Sequence, residues 1–194
     1  ILPNEDDPAP RDNLARLYAR ASLATRPVIV IRHAKAKPRS SWQRAEGDRP
    51  LAATGKRQAL AVTRLLAAWQ PKRVVTSPWL RCISTVVPYA KKYGIKVKER
   101  SQLTEAAHKR HPKRAAQVTE QLFDTERPVV LCTHRPVLPT VLKVLAKHLP
   151  PALAAQLPDA DPYLSPGQMI VLHMPRASQS ARAVGFEIIS PFDD

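Results

Sequence analysis

Along the chain, short apolar runs typical of buried strands alternate with segments in which apolar residues recur at helical spacing. Short runs rich in β-branched residues predict strands at 27–31, 72–76, 95–99 and 128–133, the third of them weak and alternating. Apolar residues at helical spacing predict helices at 11–24, 54–70, 77–94, 112–123 and 136–148. Two further apolar runs, 168–174 and 183–190, predict a closing pair of strands. This alternation predicts an α/β fold with a mostly parallel central sheet flanked by helices, and an antiparallel edge near the C-terminus.

Residues that begin and end helices set the predicted bounds. Thr54 and Ser77 are candidate N-caps, Pro78 suits a first helical position, and Gly94 suits a helix end. Pro88 lies inside the second of these helices and predicts a kink or a break. Residues 103–105 and 150–167 have no clear periodicity and are interpreted as loops.

The 194 residues are enough for one ordinary domain with a substantial core. We assign residues 1–25 to an N-terminal extension with an amphipathic helix, and 26–194 to the domain itself. The chain begins with Ile1 rather than methionine, so we expect a fragment of a longer protein or the loss of the first residues. No apolar run approaches the roughly 20 residues of a membrane span. Two cysteines, Cys82 and Cys132, are too few for a disulfide framework and predict buried, reduced thiols in a cytoplasmic protein.

The net charge of +15 changes this picture most. A field of that sign attracts polyanions, such as nucleic acid, an anionic membrane surface or phosphorylated small molecules. The basic residues are spread along the whole chain, and aromatic residues make up only 5% of it, which leaves few platforms for base stacking. Specific nucleic-acid binding and membrane binding are therefore disfavoured, although a nucleic-acid-binding domain stays open as an alternative.

Polar residues follow each of the four predicted parallel strands. In an open α/β sheet, ligands bind beyond the carboxyl ends of the strands, so these residues are candidates for one shared site. In chain order they are Arg32 and His33, then Ser77 and Arg81, then Glu105, and finally His134.

These residue types suit the transfer of a phosphoryl group. Two guanidiniums can clamp its oxygens, and a neutral imidazole can attack the phosphorus to form a phosphohistidine. A second, protonated imidazole would stabilise charge on the oxygens, while a carboxylic acid would protonate the departing oxygen and then activate water. No metal or other cofactor is required. Glu99 and Asp48 compete with Glu105 for the role of the acid.

Four ordered segments resemble the histidine phosphatase superfamily, also called the phosphoglycerate mutase-like group. "RHA" at 32–34 is similar to its Arg-His-Gly signature, and "RPLAATGKRQA" at 49–59 to its Arg-Pro-Leu segment. "SPWLRCISTV" at 77–86 resembles the segment with the second phosphate-binding arginine, and "VVLCTHRPVLPTVL" resembles the block that holds the second histidine. The resemblance covers about residues 26–190 and implies a histidine phosphatase domain.

The resemblance implies a role for each matching residue. His33 would be the nucleophile, Arg32 and Arg81 phosphate ligands, and His134 a partner of the phosphoryl oxygens. Glu105 occupies the region of the family's proton donor. Ala34 and Arg135 replace the glycines that usually follow the two histidines, so Arg135 is a candidate further phosphate contact, and Lys35 is another.

The sequence looks most like small bacterial members of the family. These include phosphohistidine phosphatases and the C-terminal domains of two-domain Nudix–histidine phosphatase proteins, which are MutT-like. The resemblance implies a phosphatase of nucleotides or nucleotide polyphosphates, with a possible Nudix domain in the parent protein. A protein phosphohistidine phosphatase and a non-catalytic phosphate-binding regulatory module remain alternatives.

Two features can be interpreted in more than one way. Trp42, in the loop 35–50, is either a packing anchor or a lid that stacks on a base. His108 and His111 have a spacing that can suit a metal, but no third ligand lies nearby in the sequence, so a metal site is not predicted.

Overall fold

A six-stranded mixed sheet forms the centre of the molecule, in a computed structural model that describes residues 24–176 and 182–192. The strands are β1 (Thr25–Arg32), β2 (Arg73–Thr76), β3 (Val97–Glu99), β4 (Val129–Thr133), β5 (Met169–Pro175) and β6 (Gly185–Ile189). They lie in the order β3-β2-β4-β1-β5-β6. Strands β1 to β4 pair parallel with one another, whereas β5 pairs antiparallel with β1 and with β6. The predicted fold class is confirmed, including the antiparallel edge.

Helices cover both faces of this sheet. They are α1 (Ala53–Trp69), α2 (Leu80–Lys92), α3 (Glu105–Arg110), α4 (Pro112–Glu120), α5 (Leu138–Lys147) and α6 (Pro151–Ala154). Because side chains alternate along a strand, Ile29 and Ile31 pack with α1 and α2, whereas Val28 and Val30 join a second cluster with α4 and α5. All four of these residues are fully buried, so β1 lies at the centre of the fold and orients the residues that follow it.

The structure corrects the predicted helix starts. The N-caps are Ala52 and Trp79, without side-chain capping bonds, instead of Thr54 and Ser77. Ser77 lies directly after β2, where its Oγ accepts from the Trp79 amide at 3.3 Å and lies 2.8 Å from His134 Nε2, so it contacts the start of α2 without being its N-cap. Pro88 does not break its helix, since α2 runs continuously from Leu80 to Lys92.

Two segments interpreted as loops contain helices. Residues 105–110 form α3, because the Thr104 hydroxyl accepts a hydrogen bond from the Ala107 amide and caps the first turn. Residues 151–154 form the single turn α6. The helix predicted from Pro136 starts instead as a 3-10 turn, Arg135–Val137, and becomes α-helical at Leu138.

The predicted N-terminal helix at 11–24 falls almost wholly outside the described residues, and so does most of the extension assigned to 1–25. Within the part of the chain that the structure describes, no helix has the length and apolar character needed to cross a membrane. Cys82 and Cys132 are free and buried, as predicted.

Candidate active site

Parallel pairing of β1 with β4 brings the two histidines together. Arg32 pairs with Thr133 in register, and the His33 amide donates to the Thr133 carbonyl oxygen at 2.9 Å. His33 and His134 therefore leave adjacent strands at the same edge of the sheet, with ring centroids 5.2 Å apart. Both side chains are buried, His134 completely.

The hydrogen bonds of His33 assign its tautomer. Its Nδ1 lies 2.8 Å from the Ala34 carbonyl oxygen, which can only accept, so Nδ1 carries the proton. Nε2 then holds the lone pair and accepts a hydrogen bond from Arg81 Nε at 3.2 Å. Burial lowers the pKa of His33 to about 3, and the positive charges of Arg81 and Arg32 act in the same direction. The ring is therefore neutral near pH 7, with Nε2 directed at the cationic side chains.

Arg81 lies at the centre of the site. It belongs to the first turn of α2 and is completely buried. Besides its bond to His33, its Nη1 donates to the Glu46 carbonyl oxygen at 2.9 Å, and its Nη2 donates to Glu105 Oε1 at 2.7 Å. Its guanidinium carbon lies 4.5 Å from the centre of the Trp79 ring. These contacts fix a flexible side chain in one position.

Glu105 links the centre of the site to its exposed rim. Its Oε2 accepts from Arg39 Nη2 at 2.6 Å, while its Oε1 lies 3.6 Å from His134 Nδ1. The carboxyl group stands in the first turn of α3, which Thr104 caps. Glu105 is the competing acid that reaches the two histidines: Glu99 is an exposed residue at the end of β3, and Asp48 is exposed in the turn Glu46–Asp48.

His134 has a different environment from His33. Its Nε2 lies 2.8 Å from the Ser77 hydroxyl and 3.5 Å from Cys82 Sγ, and its ring meets Trp79 edge to face at 4.8 Å. Burial lowers the pKa of His134 well below its ordinary value, and the charge of Arg81 adds to that effect. This direction favours the neutral ring in this arrangement, and the protonated imidazole expected beside phosphoryl oxygens stays a prediction. A dianion beside the ring would favour the protonated form again.

Glu46 is a functional residue that the sequence analysis missed. Its carboxylate accepts from Arg49 Nε and Nη2 at 3.1 and 2.7 Å, and lies 3.3 Å from both Arg39 and Arg81. The arginine Arg49 is 7% exposed and also donates to the Lys37 carbonyl oxygen at 2.6 Å. The signal that could have identified this cluster is Arg49 itself, the first residue of the "RPLAATGKRQA" segment.

A cavity of about 310 Å³ opens above His33. Six cationic side chains and one carboxylate, that of Glu105, line it; the cations are Arg32, Lys35, Lys37, Arg39, Arg49 and Arg135. Arg32 Nη1 donates to the Leu164 carbonyl oxygen at 2.5 Å, while its buried Nε has no hydrogen-bond partner in the described part of the chain. Arg135 is exposed and pairs with Asp161 at 3.3 Å. Such a set of donors suits an anion with several oxygens.

Two small residues allow the loops to reach these positions. Ala34, which stands where the family has glycine, is fully buried, and its amide donates to the Thr85 hydroxyl at 3.0 Å. The backbone after His33 is thus held in place without glycine. Gly55 in α1 faces the backbone of Lys35 so closely that an added Cβ would lie 1.9 Å from the Lys35 carbonyl oxygen. This approach brings Lys35 to the cavity.

The candidate residues also have the elements of a metal site, because ligand atoms of His33, Glu105 and His134 lie within 4.8 Å of one another. Arg81, however, donates hydrogen bonds to His33 and to Glu105, so its positive charge already lies against these groups. The donor set therefore fits an anion better than a cation. His108 is hydrogen-bonded to Thr140 at 2.8 Å and does not belong to this cluster.

Comparisons with known proteins agree with this geometry. Residues 28–111 match the model of the histidine phosphatase superfamily, branch 1. Over 128 residues, the chain is 27% identical to the 8-oxo-(d)GTP phosphatase of Mycolicibacterium smegmatis; the match spans 66% of this chain and about 40% of that protein's length.

Solved structures share the fold at low sequence identity. The putative phosphohistidine phosphatase SixA of Agrobacterium tumefaciens superposes with a TM-score of 0.60 at 23% identity, covering 84% of this chain and 97% of that one. A mycobacterial glucosyl-3-phosphoglycerate phosphatase superposes with a TM-score of 0.56 at 17% identity, covering 86% and 98% of the two chains. The match to the family model supports the resemblance to the histidine phosphatase superfamily that the sequence motifs indicate, and the solved structures show that the chain shares their fold.

Proposed function

We propose that the protein is a metal-independent phosphohydrolase that forms a phosphohistidine on His33. The observation that carries this proposal is the state of the His33 ring. Nδ1 donates to the Ala34 carbonyl oxygen, so the Nε2 atom of this cavity-lining ring carries the lone pair, which accepts a hydrogen bond from Arg81. A neutral, oriented imidazole beside phosphate-binding donors is what nucleophilic attack on phosphorus requires.

Each half-reaction assigns a task to these side chains. The His33 Nε2 lone pair forms the N–P bond as the P–O bond to the leaving group breaks, and Glu105 donates a proton to the departing oxygen. The Glu105 carboxylate then accepts a proton from water, whose oxygen forms a new P–O bond as the N–P bond breaks. Arg32, Arg81 and His134 donate to the phosphoryl oxygens throughout, which stabilises the charge that develops on them.

Glu105 must carry a proton for the first step. In the structure its carboxylate accepts hydrogen bonds from Arg39 and Arg81. A phosphoryl dianion placed at the cavity would take over these donors and bring negative charge close to the carboxylate. The proposed acid therefore lies beside the donors that a bound phosphoryl group would engage.

The preferred substrates are nucleotides or nucleotide polyphosphates. Support comes from the cationic rim, where Lys35, Lys37 and Arg135 lie beyond the charges needed for one phosphoryl group. Additional phosphates would pair with this excess charge. The relative from Mycolicibacterium smegmatis acts on an oxidised guanine nucleotide by its name, which supports the same class.

A protein phosphohistidine is the second candidate substrate. The lining of the described cavity includes no tryptophan, tyrosine or phenylalanine, and so lacks a platform for a base. Trp42, the candidate for stacking, is outside that lining and donates its indole N–H to the Ala45 carbonyl oxygen. Structural neighbours named as phosphohistidine phosphatases agree with this alternative. The likeness at this level of identity is one of fold alone.

The parent protein belongs to the proposal as well. The match to the curated relative covers about 40% of that relative, which is consistent with a second domain, and we infer a Nudix domain as the partner. We place the protein in the cytoplasm on the basis of its two reduced cysteines. A non-catalytic phosphate-binding module would share the same side chains, and it is distinguished by the absence of a phosphoenzyme.

The test is phosphate release in the presence of a chelator, comparing the wild type with His33→Ala. The panel contains nucleoside di- and triphosphates, dinucleoside polyphosphates, phosphohistidine and an aryl phosphate. We expect chelator-resistant turnover that falls by about 10³-fold or more in the variant, and an acid-labile phosphoenzyme that forms only when His33 is present. Turnover that survives in His33→Ala, or that requires a divalent ion, contradicts the mechanism. Faster release from phosphohistidine than from every nucleotide selects the second candidate.

A further inference from the structure

A second basic surface lies on the other side of Thr104 from the catalytic cavity. Two adjoining cavities of about 350 and 330 Å³ share Gln102 and Arg114 in their linings and together form one groove. Neither lining shares a residue with the cavity above His33. Thr104 separates the two regions, because it lines the groove while the next residue, Glu105, lines the catalytic cavity.

Three arginines line this groove, and no acidic residue of the described chain does. Arg100 precedes the turn Ser101–Leu103, Arg110 is the last residue of α3, and Arg114 lies in the first turn of α4. The groove linings contain no aspartate or glutamate. Within residues 24–176 and 182–192, none of these three guanidiniums has a hydrogen-bond or ion-pair partner. Their charges are therefore available to an external anion.

The backbone positions that carry these side chains are held in place. The Arg100 amide donates to the Thr76 carbonyl oxygen at 2.8 Å, which anchors it to the end of β2. The Thr104 hydroxyl donates to the Ser101 carbonyl oxygen at 2.8 Å and accepts from Ala107 at 3.1 Å. The Arg114 amide donates to the His111 carbonyl oxygen at 3.1 Å. An anion would thus meet cations on a hydrogen-bonded turn and on two helices, the first of which Thr104 caps, at a low cost in backbone ordering.

The remaining lining identifies the chemistry of the ligand. Three glutamines, Gln102, Gln117 and Gln121, add amide N–H donors along the groove. No tryptophan, tyrosine or phenylalanine lines it, and Val118 is its largest apolar residue, so neither a base nor an apolar side chain would find a platform. Guanidinium forks and amides match a chain of phosphate groups, whose oxygens accept two parallel bonds from one arginine.

We propose that this groove is a second binding site, distinct from the catalytic cavity, for the phosphate chain of an oligophosphate. Three guanidiniums that line one groove suit a linear chain of about three phosphates, each of which carries at least one negative charge. The chain can belong to inorganic oligophosphate or to a nucleotide. The site does not depend on the proposed catalytic function, since it uses none of the same residues.

The test counts binding sites for inorganic tripolyphosphate by isothermal titration calorimetry and equilibrium dialysis. The background is His33→Ala, which prevents hydrolysis through the proposed nucleophile. We expect two sites in this protein and one in the same protein with Arg110→Gln and Arg114→Gln, whose groove affinity falls by about tenfold or more. The matched control changes Arg57 and Arg64, two exposed arginines of α1, to glutamine and keeps both sites.

Several outcomes overturn the proposal. One is a single site that the Arg110 and Arg114 changes leave intact, and another is two undiminished sites after these changes. A single site that these changes remove still assigns the binding to the groove. Arg100→Gln serves as an independent variant, and a melting curve for each protein shows that it is folded. Equal affinities for tripolyphosphate and a nucleoside triphosphate are expected, because nothing in the groove stacks on a base. A glutamate-rich peptide that competes more strongly than tripolyphosphate would make the groove a protein interface instead.

Discussion

The catalytic cavity and the groove are both basic, but only the cavity contains its own counter-charges. Arg81 and Arg49 are buried and held by Glu46 and Glu105, whereas Arg110 and Arg114 are exposed and face no carboxylate. A buried arginine must be paired, because an unpaired charge removed from water is costly. An exposed arginine keeps its hydration and needs no partner. The two regions therefore differ in how their arginines are held. Carboxylates within the protein fix those of the cavity, whereas those of the groove stay hydrated.

We expect the largest loss of activity from a substitution that keeps the positive charge of Arg81 but removes its guanidinium group. Arg81→Lys retains one positive charge but loses the fork that reaches His33, Glu105 and the Glu46 backbone at once. We expect kcat/KM to fall by about 10²–10³-fold in steady-state assays. Arg114→Lys in the groove is the matched control and should change kcat/KM less than about twofold. A similar loss in both variants would remove the distinction between the two regions.

Glu105→Gln tests the proposed proton transfer within the cavity. The amide keeps a similar shape but cannot protonate the leaving oxygen, so kcat should fall by about 10²-fold for substrates with basic leaving groups. An aryl phosphate, whose leaving oxygen needs little help, should lose much less. Comparison of the two substrates in one assay measures this difference, with the exposed Glu99→Gln as control. An equal loss on both substrates would assign Glu105 a positioning role only.

The buried histidine predicts a dependence of stability on pH that an exposed histidine lacks. Unfolded His33 takes up a proton near pH 6.5, whereas its folded pKa is about 3, so the unfolded state binds more protons between these values. The stabilisation from the neutral ring is thus complete above pH 6.5 and is lost as pH falls toward 3. Its slope is about 1.4 kcal/mol per pH unit in the free energy of unfolding.

Urea denaturation at several pH values between 7 and 4 measures this slope. His33→Gln should be less sensitive to acid than the wild type by about that amount per pH unit. Identical slopes for the wild type and His33→Gln would contradict the neutral, buried state assigned to His33.

The smallest expected effect comes from the internal counter-charge Glu46. Glu46→Gln weakens the two contacts that orient Arg49 and the contact with Arg39. We expect kcat/KM to fall by about fivefold, mainly through a higher KM, since Glu46 orients the rim and does not touch the reacting atoms in the proposed mechanism. Asp48→Asn, in the same short turn, should be silent. A loss in kcat with KM unchanged would place Glu46 in the chemical step.

The site residues that the sequence predicts best are those at the ends of the strands. Arg32, His33 and His134 could be located because a buried strand has a strong apolar pattern and a well-defined end, and parallel strands end at one edge of the sheet. The start of α2 was less predictable. Ser77 has the chemistry of an N-cap, but its hydroxyl is hydrogen-bonded to His134, a residue 57 positions away. The same hydroxyl accepts from the Trp79 amide at 3.3 Å, so it combines a local contact with a long-range one that the sequence does not reveal.

Glu46 is a residue of the candidate site that the sequence pattern could not identify. It lies in an irregular polar loop, where no period indicates which side chain faces inward. Only the close packing of Gly55 against Lys35, and of Gly47 against Trp79, brings that loop over Arg81. Loop conformation depends on such contacts between distant segments, so the partners of Arg49 and Arg39 could not be derived from spacing.

The sequence by itself determined the α/β class, the order of the strands, the family resemblance and the candidate residues, because these depend on periodicity and on short motifs. The tertiary structure decided which charges are buried and paired. It placed Glu46 and Glu105 on the same guanidinium, selected the tautomer of His33 and separated the groove from the cavity at Thr104. Burial and pairing are properties of contacts between segments far apart in the chain, and the local pattern of residues does not contain them.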